Sequence, residues 1–502
     1  MTRYLFIGLD AFDPHVLRRG AAAGEFPALA RLLERGQSIE TETDPGTFVG
    51  SQWATIHTGE TPGRHGLYCW AELVPGTYDI RMSDERNIEA PSFWTRLSRA
   101  GIRSAIVDVP HTKLDPEIDG IHVVNWYSHF KTLEGFATAP AALAKEIERR
   151  FGLDPVPRCN DAGHTLEGMR EFTEHMLGRV ERRTEFVLEL LQSGEYDLVT
   201  VCYGESHCTG HQCYHLHDPQ HPNFDRELSA RLGDPVMRVY RAIDRAVGRL
   251  LDACPPDCEV LLLASHGMGP HYDGSHLAER LLRRVDWHLR DTPPIPLGRR
   301  ILDLIEGNRL RRYLGPFARL LPALPRRAHA RAFFVPNNEA YLGIRVNLAG
   351  REPAGLVAAG DYDRFLDGLE RAMMSARRQD GIAAFTHAIR TAKFYGIDPH
   401  TSMLPDLMLA WDRSGEYDML EVPGMGRIRG KYHGVRSGDH MEGGLAVFAS
   451  PAGRRLNLPE RLKSEDIAPQ ILSFFGVERQ EPGRPARDRG NARQAERAFG
   501  IG

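Results

Sequence analysis

Five runs of consecutive apolar residues, each of strand length, recur along the chain with helical patterns between them. They are YLFIGL (4–9), SAIVDV (104–109), DLVTVCY (197–203), EVLLLA (259–264) and LAVFAS (445–450). Continuous apolar runs of this length are typical of strands that are buried on both faces, as in a parallel sheet. The intervening helical patterns predict helices that cover both faces of that sheet. The sequence therefore predicts an α/β fold with a mostly parallel central sheet.

Helical periodicity is clearest in four long segments. They extend from Asp13-Pro14 through Leu33, then over 166–191, 235–251 and 465–475. A shorter helix is predicted from Gly50 to Thr58, and Gly59 is its stop signal. Each long helix lies next to an apolar run in the sequence, as expected of strand and helix units packed in alternation.

The pattern changes between residues 271 and 417. Arg-rich helices with proline breaks are followed by NNEAYLGIRVNLAGREPAG (337–355), which is typical of strand and loop. We predict that 271–417 is a cap subdomain inserted into a catalytic core formed by 1–270 and 418–478. The segment 479–502 is rich in Arg, Gly and Pro without periodicity, so a loose tail is expected there.

Charge and hydropathy exclude several classes of partner. The 502 residues carry 63 Lys+Arg against 67 Asp+Glu, a net charge of -4, without the basic excess that nucleic-acid binding usually shows. No segment approaches the roughly 18 apolar residues of a membrane span, and the N-terminal apolar run is shorter than a signal peptide's. We therefore expect a cytoplasmic protein that binds neither a nucleic acid polymer nor a membrane. The seven cysteines form no CxxC pair and do not indicate a disulfide framework.

Residues that typically bind metals follow three of the predicted strands and precede a fourth. They are Asp10, Glu205, His207, His211, His266 and His440. Imidazole nitrogens and carboxylate oxygens bind Zn²⁺ and similar divalent ions. Ligands collect beyond the carboxyl ends of parallel strands, so one site could gather all of these side chains. The sequence predicts a divalent metal site, with zinc as the first choice and manganese or magnesium as alternatives.

Hydroxyl side chains lie just before and within the first turn of the short helix. Thr47 and Ser51 occupy a position where unpaired backbone N–H groups favour an anion. Ser and Thr are also the usual capping residues at such a position. A reactive hydroxyl and a structural cap both remain open from the residues alone.

Several motifs together resemble those of a known enzyme superfamily. They are IGLDAFDP containing Asp10, the Thr58-Gly59, Pro62 and His65-Gly66 element, the segment ending in His211, the His266 to Met268 element, and GDHMEGG at 438–444. With them the chain resembles the alkaline-phosphatase superfamily, in the branch of type I phosphodiesterases, nucleotide pyrophosphatases and related phosphohydrolases or phosphomutases. The matching segments are spread over the whole sequence.

The resemblance implies a mechanism and a ligand set. A metal-bound Ser or Thr attacks phosphorus or sulfur, and the covalent ester is then hydrolysed. One metal would take His211, His440 and residue 207, and a second would take Asp10, His266, residue 265 and the nucleophile. The family's usual arrangement therefore uses two ions.

Three positions depart from the family pattern. His207 and Ser265 stand where the family has Asp, and Val49 stands at the register of the nucleophile. We predict that the reactive hydroxyl is that of Thr47, with Ser51 as the alternative. Glu205 and Asp439 would have to compensate for the lost carboxylates, and either one ion or two is compatible with this set.

The predicted function is a metal-dependent hydrolysis of phosphate esters or diesters, with sulfate or phosphonate esters as further possibilities. Arg345 and Arg351 in the predicted cap are candidates for binding a small anionic substrate, although such arginines more often pair with nearby acids. The alternative is a catalytically lapsed or phosphomutase-like relative that binds an anionic ligand.

Overall fold

The computed structural model describes residues 1–128, 135–155, 165–290, 326–451 and 453–478. The strands of these residues are β1 (Tyr4–Leu9), β2 (Gln37–Glu42), β3 (Ala71–Leu73), β4 (Ile80–Met82), β5 (Ser104–Val107), β6 (Gly120–Val124), β7 (Ala137–Ala139), β8 (Leu198–Tyr203), β9 (Glu259–Ala264), β10 (Gly267–Pro270), β11 (Ala332–Val335), β12 (Tyr341–Val346), β13 (Arg377–Arg378), β14 (Phe385–Arg390), β15 (Leu407–Trp411), β16 (Met419–Val422), β17 (Gly426–Arg429), β18 (Gly438–Met441), β19 (Gly444–Ala449) and β20 (Leu462–Lys463).

The α-helices of the same residues are α1 (Pro14–Ala22), α2 (Pro27–Arg35), α3 (Phe48–Thr58), α4 (Pro62–His65), α5 (Phe93–Arg99), α6 (Ala142–Phe151), α7 (Leu166–Ser193), α8 (Glu205–His217), α9 (Arg226–Leu232), α10 (Pro235–Ala253), α11 (Ser275–His288), α12 (Tyr362–Met374), α13 (Thr391–Tyr395) and α14 (Ile467–Phe474). Of these helices, none combines the length and the apolar character needed to cross a membrane.

The main sheet has nine strands among the described residues, in the order β20-β2-β19-β9-β1-β8-β5-β6-β7. β1 lies at its centre and pairs in parallel with both β8 and β9, while β5 pairs in parallel with β8 and β6. β19 is antiparallel to β9 and β2, and β7 is antiparallel to β6. The prediction of a mostly parallel central sheet is confirmed, and all five predicted strands belong to it.

Helices cover both faces of the main sheet. The side chains of β1 alternate between the two hydrophobic clusters that these helices form with the sheet. Leu5 and Ile7 pack into a hydrophobic cluster with residues of α7 and α10, such as Ile243. Tyr4 and Phe6 pack on the opposite face, into a cluster with residues of α3, α5 and α14. A strand that points apolar residues to both faces can be stable only when both faces are covered.

The predicted helix from Asp13-Pro14 through Leu33 is in fact two helices, α1 and α2. Gly24 adopts a φ of 77° after α1, and Pro27 begins α2. Proline lacks a backbone N–H and is tolerated in the first turn of a helix, so it favours a new start over continuation. β2 was not among the predicted strands because its residues, QSIETE, are largely polar and half of them are exposed.

A second sheet, in the order β11-β12-β15-β14, is built from residues 332–411. It has its own core, in which Ile344 and Leu409 pack with residues of α11 and α12. Leu420 and Ile428 of β16 and β17 share this core. The division into a catalytic core and a cap ending at residue 417 stays a prediction. The predicted tail at 479–502, and residues 291–325 of the predicted cap, lie outside the described residues.

Candidate metal centre

Elements of the main sheet bring the predicted ligands to one edge. Asp10 follows β1 directly, and His266 follows β9 after one residue. His207 and His211 lie in α8, which begins two residues after β8 ends. His440 lies in β18, which pairs with β10 in a two-stranded ribbon just beyond His266. The carboxyl ends of the central parallel strands thus supply the site, as the topology of the sheet predicts.

Three imidazoles meet at this edge. Nε2 of His211 lies 3.3 Å from Nε2 of His207 and 3.1 Å from Nε2 of His440. All three side chains are buried, and their donor atoms lie within 4.8 Å of one another. In a tetrahedral zinc site with Zn–N bonds of about 2.05 Å, two nitrogen ligands lie about 3.3 Å apart. The spacing in this cluster is therefore that of nitrogens sharing one tetrahedral ion.

A glycine of β18 allows α8 and β18 to come close enough for this contact. A Cβ atom at Gly438 would lie 2.3 Å from the carbonyl oxygen of Gly210, so a side chain there would force the two elements apart. The carbonyl oxygen of Gly438 accepts a hydrogen bond from Nδ1 of His211 at 2.8 Å. This bond puts the ring proton on Nδ1 and leaves the Nε2 lone pair directed at the other two imidazoles.

The electrostatics of the cluster suit a cation. Burial, reinforced by the charge of Arg436, holds the pKa of His211 well below its usual range, so this ring is neutral near pH 7. Neutral imidazole is the form that binds metals. Lone pairs converging at this distance repel one another unless a positive charge lies between them. The donor set of three imidazoles fits Zn²⁺, and the role of these residues as ligands stays a prediction.

The predicted second metal site, around Asp10 and His266, contacts the imidazole cluster but offers fewer metal-binding atoms. The rings of His266 and His440 are in edge contact, with centroids 4.9 Å apart. Ser265 Oγ lies 3.1 Å from Nδ1 of His266 and donates to Oδ1 of Asp10 at 3.3 Å. Trp53 Nε1 also donates to Oδ1 of Asp10, at 2.8 Å. Within the described part of the chain, neither Asp10 nor His266 belongs to a group of three neighbouring metal donors.

Glu205 does not join the imidazole cluster, in contrast to the prediction. Both of its carboxylate oxygens accept hydrogen bonds from Nη1 of Arg183 at 2.8 Å. Asp108 accepts from Nε and Nη2 of the same guanidinium, and all three side chains are fully buried. A buried guanidinium requires nearby carboxylates because its desolvation is so costly. Glu205 therefore pairs with Arg183 at the start of α8, where it helps to fix the helix that carries His207 and His211.

Arg345 and Arg351 donate to acceptors within the protein, and their role in substrate binding stays a prediction. All five N–H groups of Arg351 donate to protein oxygens, among them both carboxylate oxygens of Asp406. Arg345 is 1% exposed and donates to Glu352 and to the carbonyl oxygens of Ser402 and Leu404. Buried guanidinium groups need hydrogen-bond acceptors, and these internal acceptors satisfy both arginines. The two arginines therefore help to stabilise the region of the second sheet.

The hydroxyls of Thr47 and Ser51 form a buried network with Asp44. Ser51 Oγ donates to Oδ2 of Asp44 at 2.7 Å, and its oxygen lies 3.0 Å from Oγ1 of Thr47. Thr55, one turn further along α3, also donates to Oδ2 of Asp44. Burial raises the pKa of Asp44 to about 6, although the bonds from Thr55 and Ser51 oppose this shift. Asp44 is not among the site residues predicted from the sequence, but the spacing of four between Thr47, Ser51 and Thr55 is a signal of a hydroxyl stripe on one helix face.

The opposite side of α3 contacts the metal-ligand candidates. Trp53 contacts Asp10, and Gln52 donates to the carbonyl oxygen of Ser265. With about 100° of rotation per residue, Val49 lies between Gln52 and Trp53 around the helix, about 160° from Ser51. The structure thus places the hydroxyl of Ser51 against Asp44 and that of Thr47 against Ser51. Their catalytic role stays a prediction.

The second sheet fixes the loop that precedes α3. Asn337 and Asn338 both donate to the carbonyl oxygen of Gly46, and Tyr395 donates to that of Pro45. Gly46 has a φ of 81°, and a Cβ there would lie 2.5 Å from the sulfur of Met408. Residues 332–411 thus determine where Thr47 sits relative to the sheet edge.

Comparisons with known proteins agree with this architecture. Residues 4–410 match the family described as type I phosphodiesterase / nucleotide pyrophosphatase. No curated protein sequence matches the chain significantly.

Among solved structures, similarity extends over nearly the whole chain at low identity. Phosphonoacetate hydrolase from Sinorhizobium meliloti 1021, in complex with phosphonoformate, is 16% identical with a TM-score of 0.50, covering 94% of this chain and 95% of that one. The same enzyme in complex with phosphonoacetate is 15% identical, with the same TM-score and coverage. Murine ectonucleotide pyrophosphatase / phosphodiesterase 5 is 13% identical with a TM-score of 0.47, covering 97% of this chain and 98% of that one. At these identities the first two similarities speak for the fold alone.

Proposed function

Because the chain belongs to the type I phosphodiesterase / nucleotide pyrophosphatase family of the alkaline-phosphatase superfamily, we propose that it is a metal-dependent hydrolase of small anionic phosphate esters or diesters. The observation that carries the metal dependence is the spacing of the three Nε2 atoms of His207, His211 and His440. Phosphonates and sulfate esters remain in the proposed substrate class, since a structural relative was solved with phosphonate ligands.

The three imidazoles would hold one divalent ion, with zinc as the first choice. Such an ion would act as a Lewis acid toward an oxygen of the substrate's phosphoryl group. His211 contributes a fixed tautomer through its bond to Gly438, and α8 contributes the four-residue spacing that places His207 beside it. Three protein ligands around zinc leave a fourth position open, as in catalytic zinc sites.

We propose that the hydroxyl of Thr47 is the nucleophile and that Asp44 accepts its proton through Ser51. Ser51 Oγ already donates its single proton to Asp44, so in the 3.0 Å contact Thr47 Oγ1 is the donor and Ser51 Oγ the acceptor. As Thr47 Oγ1 forms its bond to phosphorus and the ester oxygen leaves, the Thr47 proton moves to Ser51 and the Ser51 proton moves to Asp44. A carboxylate with a pKa of about 6 can accept that proton near neutral pH.

A second candidate function is the binding of an anionic ligand without turnover. Val49 at the family's nucleophile position and Ser265 at a ligand position favour it, because each removes a group that the family's chemistry uses. A phosphomutase-like transfer back to the substrate is compatible with the same Thr47 intermediate. The contacts of Asn337 and Asn338 with the loop before α3 support a role of the predicted cap in admitting substrate.

The test measures first the metal content of the protein and then its turnover of ester substrates. Protein purified without added metal is analysed for bound ions, then loaded separately with Zn²⁺, Mn²⁺ or Mg²⁺ and assayed on aryl phosphate mono- and diesters, nucleotide substrates, phosphonates and aryl sulfates. We expect about one tightly bound ion per chain and ester hydrolysis that a chelator abolishes. His211→Ala should lose both, whereas His215→Ala, on the same helix but outside the cluster, should retain both. Turnover that is unaffected by chelation would reject metal dependence, and bound metal with no turnover of any ester would favour the ligand-binding candidate.

A further inference from the structure

A buried carboxylate lies directly behind His440. Oδ1 of Asp439 is 3.2 Å from Nδ1 of His440 and accepts a hydrogen bond from the backbone N–H of the same residue at 2.8 Å. Asp439 is 0% exposed. Because the Nε2 atom of His440 faces His211, the ring lies between the imidazole cluster on one side and this carboxylate on the other.

His271 lies between Asp439 and a second carboxylate, that of Asp273. Its other oxygen, Oδ2, is 3.5 Å from Nδ1 of His271, and Nε2 of His271 is 3.1 Å from Oδ2 of Asp273. Arg413 lies 3.4 Å from Oδ2 of Asp439. The side chains from His440 to Asp273 are each at most 5% exposed, so the row is largely shielded from water.

We propose that Asp439 is a positioning residue for His440 and, together with Asp273 and His271, supplies negative charge that the metal centre lacks among its direct ligands. The inference rests on the proposed metal binding by the imidazole cluster. The family places Asp where this chain has His207, so the three direct ligands here carry no charge. Because Arg413 offsets one of the two carboxylates, Asp439 and Asp273 together return one negative charge to the site from behind His440 while His271 is neutral.

A carboxylate in this position has two physical effects. At 3.2 Å from Nδ1, its negative charge favours the tautomer of His440 that carries the proton on Nδ1, which leaves the Nε2 lone pair for the cluster and makes that nitrogen a stronger donor. Removing such a partner typically weakens metal binding by about 10–100-fold.

The row formed by Asp439, His271 and Asp273 is less suited to binding a cation of its own than to supporting His440. His271, Asp273 and Asp439 offer three donor atoms within 4.8 Å of one another, which by itself resembles a metal site. The guanidinium of Arg413 already lies beside Asp439, and it is held there by the carbonyl oxygens of His440 and Pro270. A divalent ion between these carboxylates would lie next to a fixed positive charge. Because this positive charge opposes a second cation, we assign the row to the support of His440 and not to independent cation binding.

The experiment measures zinc affinity of the full-length protein by competition with a chromogenic chelator, without reference to turnover. Asp439→Asn should weaken Zn²⁺ binding about 10–100-fold, and Asp273→Asn should weaken it less but in the same direction. If the first variant fails to fold, His271→Asn breaks the row while Asp439 stays in place, and it should also weaken binding. The matched control is Asp286→Asn, which removes another buried carboxylate, one paired with Arg331, and should leave the affinity unchanged.

The absorption spectrum of bound Co²⁺ gives a readout that loss of stability alone would not move. We expect the spectrum to shift in Asp439→Asn and to be unchanged in Asp286→Asn. Wild-type affinity in both Asp439→Asn and His271→Asn would overturn the proposal, as would a wild-type protein without measurable zinc affinity. The proposal would also be overturned if the protein bound two ions per chain and Asp273→Asn lost one of them without changing the affinity for the other. The row would then be a cation site. Zinc binding that responds to Asp439→Asn in a protein with no ester turnover would support it and would reject only the proposed hydrolysis.

Discussion

At the scale of single residues, replacements at two family ligand positions bear on how many ions the proposed metal site would hold. Two divalent ions 4 Å apart repel each other by about 17 kcal/mol at an effective dielectric of 20, and carboxylate ligands normally offset much of this. Of the three Asp positions of the family's ligand set, this chain keeps Asp10 and carries His207 and Ser265 at the others. The imidazole cluster suits one ion, whereas Asp10 and His266 alone are too few donors for a second.

Restoring the carboxylate at position 265 should restore the second ion. Ser265 is fully buried, and its Oγ already contacts both Asp10 and His266, so the carboxylate of Ser265→Asp would lie among the remaining donors. We expect metal analysis after dialysis to rise from about one ion per chain to about two. Without metal, the variant should be less stable than wild type because two buried carboxylates then face each other. Unchanged stoichiometry would show that the second half-site cannot bind an ion even with its carboxylate returned.

The hydroxyl network makes a prediction about pH. Asp44 must be ionised to accept the Thr47 proton, and burial raises its pKa to about 6, so kcat should fall as the pH drops through about 6. Thr47→Ala should lose at least about 10³-fold in kcat while keeping its metal. Ser51→Ala should lose about 10²-fold, the lower end of general-base contributions. Steady-state kinetics from pH 5 to 9 would check this, and full activity in Thr47→Ala would exclude the assignment.

At the scale of helices and strands, the geometry of the imidazole cluster depends on the contacts that fix the position of α8. Its first residue, Glu205, is fixed by Arg183 of α7, and its middle approaches β18 through Gly210 and Gly438. Together these two contacts position the helix that carries His207 and His211. Burial raises the pKa of Glu205, and the Arg183 charge opposes that shift, so this helix start is stable only while the pair is intact.

Breaking the buried pair should therefore destabilise the whole protein. Arg183→Met leaves Asp108 and Glu205 as buried charges without their partner, and we expect a loss of about 3–5 kcal/mol in the free energy of unfolding. The matched control is Arg249→Met on α10, whose side chain is 38% exposed and pairs with Glu181 and Glu185. Solvent screens that pair, so its removal should cost less than about 1 kcal/mol. Equal losses in urea unfolding of the two variants would contradict this account.

At the scale of the whole molecule, three histidines are buried outside the candidate metal centre, and we expect them to make its stability depend on pH. Burial lowers the pKa of His57, His65 and His122 to about 3 in each case. Above about pH 6.5 these rings are neutral in both the folded and the unfolded chain. Below that pH the unfolded chain binds protons and the folded chain does not, until the pH approaches 3. Stability is therefore lost progressively as the pH falls from about 6.5 towards 3.

We expect metal-free protein to unfold at a lower urea concentration at pH 5.0 than at pH 7.5. The expected cost at pH 5.0 is about 2 kcal/mol per histidine, from 1.36 kcal/mol per unit of pKa difference. His122→Gln should reduce this pH dependence because it removes one of the three groups. His400→Gln, which replaces an exposed histidine, should not alter it. Equal urea midpoints at the two pH values would contradict the prediction.

The sequence by itself determined the central sheet and most of the imidazole cluster, because both leave local signals. Continuous apolar runs such as Tyr4–Leu9 can be stable only when buried on both faces, and a ligand at the end of each parallel strand must reach the same edge. Half-exposed β2 and the break between α1 and α2 left weaker signals, since they depend on neighbours that the local pattern does not contain.

Only the tertiary structure decided the roles of the charged side chains. Glu205, Arg345 and Arg351 were plausible ligand or substrate contacts from residue type, but each is committed to a buried partner that is distant in the sequence or on another element. A buried charge must find an opposite charge, and which one it finds depends on packing between elements. For the same reason the sequence could place Asp439 beside His440 but could not show that His271 and Asp273 stand behind it.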